Sequence, residues 1–559
     1  MEKFFRIFNK EFTNINQAAI LLGFFTLLSQ ILALFRDRFF AHFVGPGATL
    51  DTYYAAFRVP DLIFISVASL ASITVLIPFI MAKMNGEKVT EEAKIFLNSV
   101  FTVFFTTILL VSVLAFFLMP YLAHFIAPGF SSEMQEKVVT ISRIMLFSPI
   151  LMGLSNLFGT VTQLFRKFFF YSLSPIFYNL GIILGVVFLY PILGVYGMAL
   201  GVVLGAFLHF IIQAIASSGC GFTPRFSFNI DFIEIKKVVF ISLPRTLGLA
   251  FNSIALIAII ALASFLKSGS ISIFNLSFNL QSVPLNIIGI SYAVAAFPTL
   301  AKSMSLGKIE EFKAHLKAAA RQIIFWALPI TFLFIVLRAH IVRVILGSRS
   351  FSWDNTRLVA ASLAIFSISI MAQGLIALLA RAYYAGGNTK RPLLINFLSS
   401  CFIVLFSGLF LYIFEHFVFF KDFIESLLKV SNIPGTEILM LPLAYSLGTI
   451  LNLILLWIFI KRDFMKKEQF ISKTFFQSLG ASFVIGFVTY ICLNVLSLFF
   501  NIDTFLGIFS QGFISGILGI ISGIFVLFLL KNEELKDLIT ALKAKFWNTK
   551  IIVPSQEEL

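Results

Sequence analysis

Apolar runs of membrane-spanning length alternate with short charged loops along most of the chain. A helix needs about 20 apolar residues to cross the hydrocarbon. By that measure spans are predicted at 18–43, 53–81, 95–119, 138–163, 172–191, 195–216, 238–266, 271–300, 322–345, 357–384, 392–414, 438–461, 474–499 and 505–530. The pattern is that of an all-α integral membrane protein with about 14 transmembrane helices. Residues 1–17 carry Phe4, Phe5, Ile7, Phe8 and Phe12 among Lys3, Arg6 and Lys10. They read as an interfacial segment, because the first long apolar run begins near Ala18 without the small-residue site of a cleavable signal peptide.

The loops differ in charge. Lys83, Lys88 and Lys94, then Lys167, Arg225, Lys236 and Lys237, and the basic stretches 302–321, 381–391 and 461–473 fall on alternate connections. With both termini, that side holds about 29 of the 42 basic residues, and the positive-inside rule assigns it to the cytoplasm. An opposing cluster, Arg338, Arg343, Arg349 and Arg357, is the exception.

The pattern repeats at an offset near 220 residues. Pro78, Ala82-Lys83 and Glu91-Glu92 are echoed by Pro298, Ala301-Lys302 and Glu310-Glu311. Pro175 and Asn179 are echoed by Pro392 and Asn396, and Gly129-Phe130-Ser131 by Ser350-Phe351-Ser352. Each unit holds six spans, so both copies share one orientation. This predicts two six-helix lobes related by a pseudo-twofold axis along the membrane normal, with a substrate path at their interface. The domains expected are an N-lobe (18–217), a cytoplasmic linker (218–237), a C-lobe (238–462), two further helices (463–530) and a cytoplasmic tail (531–559).

Composition narrows the function. Hydrophobic residues make up 59% and charged residues 12%, about half the charge of a soluble protein. The net charge of +15 lies in loops rather than in one patch, which argues against nucleic acid. The 71 phenylalanines read as lipid-facing filler rather than an aromatic cage. Cys220, Cys401 and Cys492 are scattered and the histidines lack ligand spacing, so neither disulfide nor metal is expected; His209 and His416 read as helix-end residues. Walker-type loops and catalytic-triad spacing are missing, and the longest outer loop, 415–437, is mixed polar.

Candidate chemistry lies in charges placed inside spans. Arg36-Asp37-Arg38, Asp51, Arg58 and Asp61 crowd the first two spans, and Arg245 sits in the seventh. An arginine at the bilayer centre costs at least about 2.5–3.5 kcal/mol. Guanidinium forks suit phosphate oxygens, so one reading is an anion route. The other is local pairing of Arg36 or Arg38 with Asp37 or Asp51, and of Arg58 with Asp61, anchoring helix ends at the interface, with Arg38 snorkelling to the surface. Tyr54, Arg58 and Asp61 share one helix face. Gly197, Gly201 and Gly205, and Gly512 with Gly516, have the spacing of close helix packing.

The stretches Ser29–Asp37, Gly45–Asp51 and Ala56-Phe57-Arg58-Val59-Pro60, with Arg381–Pro392, resemble the MurJ/MviN family. These are bacterial lipid II flippases of the multidrug/oligosaccharidyl-lipid/polysaccharide exporter superfamily. The resemblance covers essentially the whole chain and implies a transporter without enzymatic activity or cofactor. It also implies residence in the bacterial cytoplasmic (inner) membrane and a role in peptidoglycan biosynthesis. The implied partners are lipid II, a polyprenyl-diphosphate-linked glycan, together with membrane lipids and other cell-wall synthesis proteins. Ser29, Arg36, Asp37, Asp51 and Arg58 match positions that line the family's central cavity. The chain departs from the family's arginines at Gln30, Phe64 and Asn279, and Asp51 loses its usual cross-lobe partner. Arg245, outside the family pattern, is expected to restore positive charge to the C-lobe. Competing readings are a flippase for another polyprenyl-linked glycan (O-antigen or capsule type), a cation-coupled drug exporter, a membrane glycosyltransferase, and a non-transporting scaffold of the same fold.

Overall fold

The computed structural model describes residues 15–68, 73–84, 90–165, 167–219, 224–465, 472–501 and 504–547. Residues 1–14 of the expected interfacial segment, Arg166, Cys220 and the tail beyond Trp547 lie outside them. The regular elements are helices: α1 (Ile15–Phe39), α2 (Ala48–Ala56), α3 (Arg58–Ala68), α4 (Ile73–Ala82), α5 (Glu91–Ile126), α6 (Ser132–Met145), α7 (Phe147–Leu164) and α8 (Phe168–Leu184). After α9 (Tyr190–Leu193) come α10 (Val195–Ser218), α11 (Phe232–Ala263), α12 (Ser270–Pro284), α13 (Ser291–Ser305), α14 (Ile309–Leu346), α15 (Trp353–Ser367) and α16 (Ile370–Ala385). The chain continues through α17 (Lys390–His416), α18 (Val418–Leu428), α19 (Met440–Phe464), α20 (Ser472–Leu496), α21 (Phe505–Leu529) and α22 (Glu533–Trp547).

Among the described residues, 11 continuous helices are long and apolar enough to cross a membrane, or 12 if α15 and α16 form one interrupted span. They cover the third to fourteenth predicted spans. The first two, 18–43 and 53–81, are helical as α1 and as α2–α4 but stand outside that count, so it reaches 12 rather than 14. Several lipid-length helices start on a polar cap that satisfies an otherwise orphaned amide. Thr90 caps α5, Asp231 caps α11 and Thr504 caps α21. The repeated motif does the same work twice: Ser131 accepts from Met134 at the start of α6, and Ser352 from Asn355 at the start of α15.

Backbone proximity groups the chain into two compact units. The first is Met1–Val283 with Ile345–Phe366 and Asn388–Asn452. Within it, α8 and α10 meet along glycines: a Cβ on Gly181 would stand 2.3 Å from the Gly205 backbone, and one on Gly201 2.6 Å from Gly185. The spacing predicted for packing is therefore used for packing. His209 corrects its expected helix-end position. It is buried mid-way along α10, its ring 2.6 Å from the Ser155 hydroxyl. The linker before α11 is held on α5 by a polar ladder. The Arg225 and Ser227 amides donate to Asn98 and Thr102 at 2.8 and 2.9 Å, and the Asp231 amide to Ser99. These side chains give a non-helical backbone the partners that lipid cannot supply. The loop 415–437 also proves more ordered than its composition suggested. It contains α18, which buries Ile424 and Glu425 and exposes Phe419, Phe423 and Leu427, the face of an interfacial helix.

The second unit is Pro284–Val344 with Ser367–Gly387 and Leu453–Leu559. Here α20 and α21 pack on α14, with Gly486 against Phe332 and Val336, and Gly512 against His340. His340 Nε2 meets Gln511 at 3.1 Å. The terminal helix α22 docks through Arg321, whose guanidinium bonds Glu533 and Glu534, while Lys473 reaches Glu533 at 3.1 Å and Thr474 reaches Glu534 at 2.8 Å.

Two outcomes follow. Gly201→Leu, placing a side chain where two backbones touch, is expected to cost at least about 1–3 kcal/mol, read as a lower aggregation temperature in detergent. The second concerns α22. Arg321 and then Lys473 hold the Glu533 carboxyl below its usual range. That contribution is present above the unfolded carboxyl value of about 4.3 and is lost as pH falls through the lower folded one. Hydrogen exchange across α22 should therefore accelerate beyond its intrinsic pH dependence on acidification, and E533Q should abolish the excess.

Candidate functional site

The break at Phe57 between α2 and α3 turns the Tyr54–Arg58–Asp61 stripe toward one space. Around it lies a cavity of about 370 Å³, all within the first unit. Its wall takes Arg36 and Phe40 from α1 and the residues after it, Tyr53 and Tyr54 from α2, and Arg58, Pro60, Asp61 and Phe64 from α3. Ser148, Pro149 and Met152 on α7, Tyr178 and Ile182 on α8, Leu256 on α11, and Asn275, Phe278 and Asn279 on α12 complete it.

The two guanidiniums are held differently. Arg36 donates through Nε and Nη2 to Asp37 Oδ1 at 3.0 and 2.9 Å, and through Nη1 to Asn179 at 3.1 Å. Asp37 lies buried behind it, hydrogen-bonded also to Asn279. Among the described residues Arg58 has no carboxylate in direct contact. Its Nη2 donates to Asn275 Oδ1, and its buried Nε, like the Tyr54 hydroxyl, has no hydrogen-bond partner among the described residues. Asp61, one turn further along α3, forms no ion pair with Arg58. Of the two local pairings expected, Arg36–Asp37 forms; among the described residues Arg58 and Asp61 make no direct ion pair and interact only through space, and both line the cavity. Arg38 turns away and donates to the Ile345 carbonyl at 3.1 Å.

Asp51 does not line the cavity. It is 2% exposed and closes the start of α12, accepting from the Gly269 amide at 2.6 Å and from the Ser272 amide and hydroxyl at 2.7 and 2.5 Å. A carboxylate there meets the positive end of the helix dipole and several orphaned donors at once. The same helix then presents Asn275 and Asn279, so Asp51 sets the register of the Arg58 partner. Ser29 and Gln30 are half-buried on α1, about two turns before Arg36, and stand outside the wall. Arg245 is half-buried on α11 and also outside it, 11 residues before Leu256, or about 16 Å along the axis.

Sequence reasoning missed the aromatic wall. Phe40, Tyr53, Tyr54, Phe57, Phe64, Tyr178 and Phe278 line the cavity, whereas Phe24, Phe117 and Phe125 are exposed as lipid-facing filler would be. The available signal was the interleaving of Tyr53, Tyr54 and Phe57 with Arg58. Among the described residues no three His, Cys, Asp or Glu side chains gather as metal ligands. Asp51→Ala should lower stability by about 1–2 kcal/mol through loss of the cap. In a thermal-shift measurement it should exceed Ser29→Ala, which removes no such contact.

The chain matches the family described as "Lipid II flippase MurJ" over residues 40–510. A probable lipid II flippase MurJ of Rhizobium tropici is 28% identical over 388 residues, covering 67% of this chain and 71% of that protein. A lipid II flippase MurJ of Burkholderia cenocepacia is 25% identical over 387 residues, covering 68% and 75%. Among solved structures, a lipid II flippase MurJ in an inward closed conformation superposes with a TM-score of 0.71 at 23% identity, covering 93% of this chain and all of that one. An inward-facing multidrug resistance transporter of the MATE family, in the MOP superfamily, gives 0.61 at 15% identity over 78% and 95%.

Proposed function

The chain belongs to the lipid II flippase MurJ family, and we propose on that premise that it carries lipid II across the membrane by alternating access, with Arg58 as the first hold on the diphosphate. It is a multi-pass membrane transporter rather than an enzyme. The observation that carries the assignment of Arg58 is its guanidinium in the cavity wall, held by an amide and not by a carboxylate. An anion entering there gains charge-assisted hydrogen bonds without first breaking an ion pair. The Tyr54 hydroxyl and Arg58 Nε, both without partners among the described residues, are further donors for phosphate oxygens. Arg36 sits across the wall as a second charge, steadied by Asp37, and the tyrosine and phenylalanine rings offer flat apolar faces to sugar. At about 370 Å³ the cavity is near the small end of ligand pockets, typically about 300–1,000 Å³. It suits the diphosphate and its neighbouring sugar rather than a whole disaccharide peptide, so the opposite state must widen it. The polyprenyl tail stays in lipid.

Both termini face the cytoplasm in this reading, on the charge asymmetry of the loops, and the protein sits in the bacterial cytoplasmic membrane. Other cell-wall synthesis proteins are proposed partners. Moving two negative charges outward, down an inside-negative potential of 100 mV, yields about 4–5 kcal/mol, enough to bias export without a dedicated coupling acid. A second reading, export of another polyprenyl-linked glycan, is favoured by Phe64 and Asn279 in the wall, where the family resemblance leads one to expect arginines.

In cells depleted of their own lipid II flippase, the wild-type chain should restore growth and outer-leaflet exposure of lipid II. Arg58→Ala should reduce exposure about 10–100-fold, as expected for a charge-assisted bond worth about 1.5–3 kcal/mol. Arg58→Lys should recover only part, because an ammonium lacks the fork. Normal membrane insertion without rescue by the wild type would reject lipid II as the substrate.

A further inference from the structure

The cavity wall holds one charged group that phosphate binding does not use. Asp61 projects from α3 into the same space as Arg58, three residues away on the same face. It is half-buried, and no hydrogen bond or ion pair joins its side chain to a described residue. Arg58, the nearest cation along the helix, is committed to Asn275, and Arg36 is committed to Asp37. A carboxylate left this way, among rings and inside a membrane helix, is costly unless a cation arrives to meet it.

We propose that Asp61 and Arg58 form a clamp of opposite signs, Arg58 taking the diphosphate and Asp61 a primary ammonium on the same headgroup. The inference rests on the flippase reading above and narrows its substrate to polyprenyl-diphosphate glycans that carry a free amine. Three features favour an ammonium over a metal ion. No cluster of three metal-ligating side chains occurs among the described residues. The same cavity wall carries Tyr54, Phe57, Tyr178 and Phe278, and ring faces attract organic cations. The Arg58–Asn275 bond engages one arm of the guanidinium, and Arg58 and Asp61 interact through space without a direct ion pair, so both signs are presented at once.

The test uses the full-length chain in proteoliposomes with two substrates, the lipid-linked headgroup with its amine free and the same molecule N-acetylated. The wild type should transport the free-amine form about tenfold faster, the size of a charge-assisted hydrogen bond. Asp61→Asn should bring that ratio to about one, and Asp61→Glu should keep it well above one. Arg58→Ala should slow both forms without erasing the ratio. Equal wild-type rates for the two substrates overturn the proposal even if Asp61→Asn fails to fold. Retention of the preference by Asp61→Asn overturns it too. A pH dependence shared by both substrates and lost in Asp61→Asn would assign the carboxylate to proton binding instead. Wild-type transport of neither form rejects the flippase reading itself, a distinct result.

Discussion

Asp51 closes the N-terminus of α12 with three hydrogen bonds, and the arrangement of the cavity depends on that contact. At 2% exposure its carboxylate is shielded from bulk solvent, as are the Gly269 and Ser272 amides it accepts from. Each is the other's solvent substitute. Once the start of α12 is set, helical geometry sets where Asn275 and Asn279 stand. Asn275 then takes one arm of Arg58, and Asn279 bonds Asp37 behind Arg36. A contact outside the cavity thus decides which polar groups face into it.

Charge inside the cavity is nearly balanced. The wall carries Arg36, Arg58 and Asp61, and Asp37 stands directly behind Arg36. In the proposed reading, selectivity for an anion comes less from a strongly positive field than from which charges are already engaged. Arg36 is engaged by Asp37 and Arg58 only by a neutral amide. In a low-dielectric setting that difference is large, because breaking an ion pair costs far more than sharing an amide. The aromatic rings sharpen it by limiting water around whatever binds.

The spans were legible because bilayer thickness demands long apolar runs, and the third to fourteenth predicted spans are met by helices of that kind. Glycine spacing was legible for a similar reason, since only a missing side chain allows the approach seen between α8 and α10. Arg36 and Arg58 stood out because charge in lipid is rare. The aromatic wall did not stand out: with 71 phenylalanines, those that face the cavity look like those that face lipid. His209 was misplaced to a helix end because nothing local marks Ser155, 54 residues earlier, as its partner.

By itself the chain of residues determined that this is a helical membrane protein, where its third to fourteenth spans lie, and that guanidiniums occur inside apolar runs. These follow from local composition and from the cost of placing charge in hydrocarbon. Tertiary structure alone decided the partners. Arg58 could have paired directly with Asp61 one turn away, and helical spacing permits it; the fold instead brings Asn275, 217 residues along the chain, within hydrogen-bond reach of it. Whether a buried charge is neutralised or left available depends on groups hundreds of positions apart, at distances of a few ångströms, and no periodicity along the sequence encodes that choice.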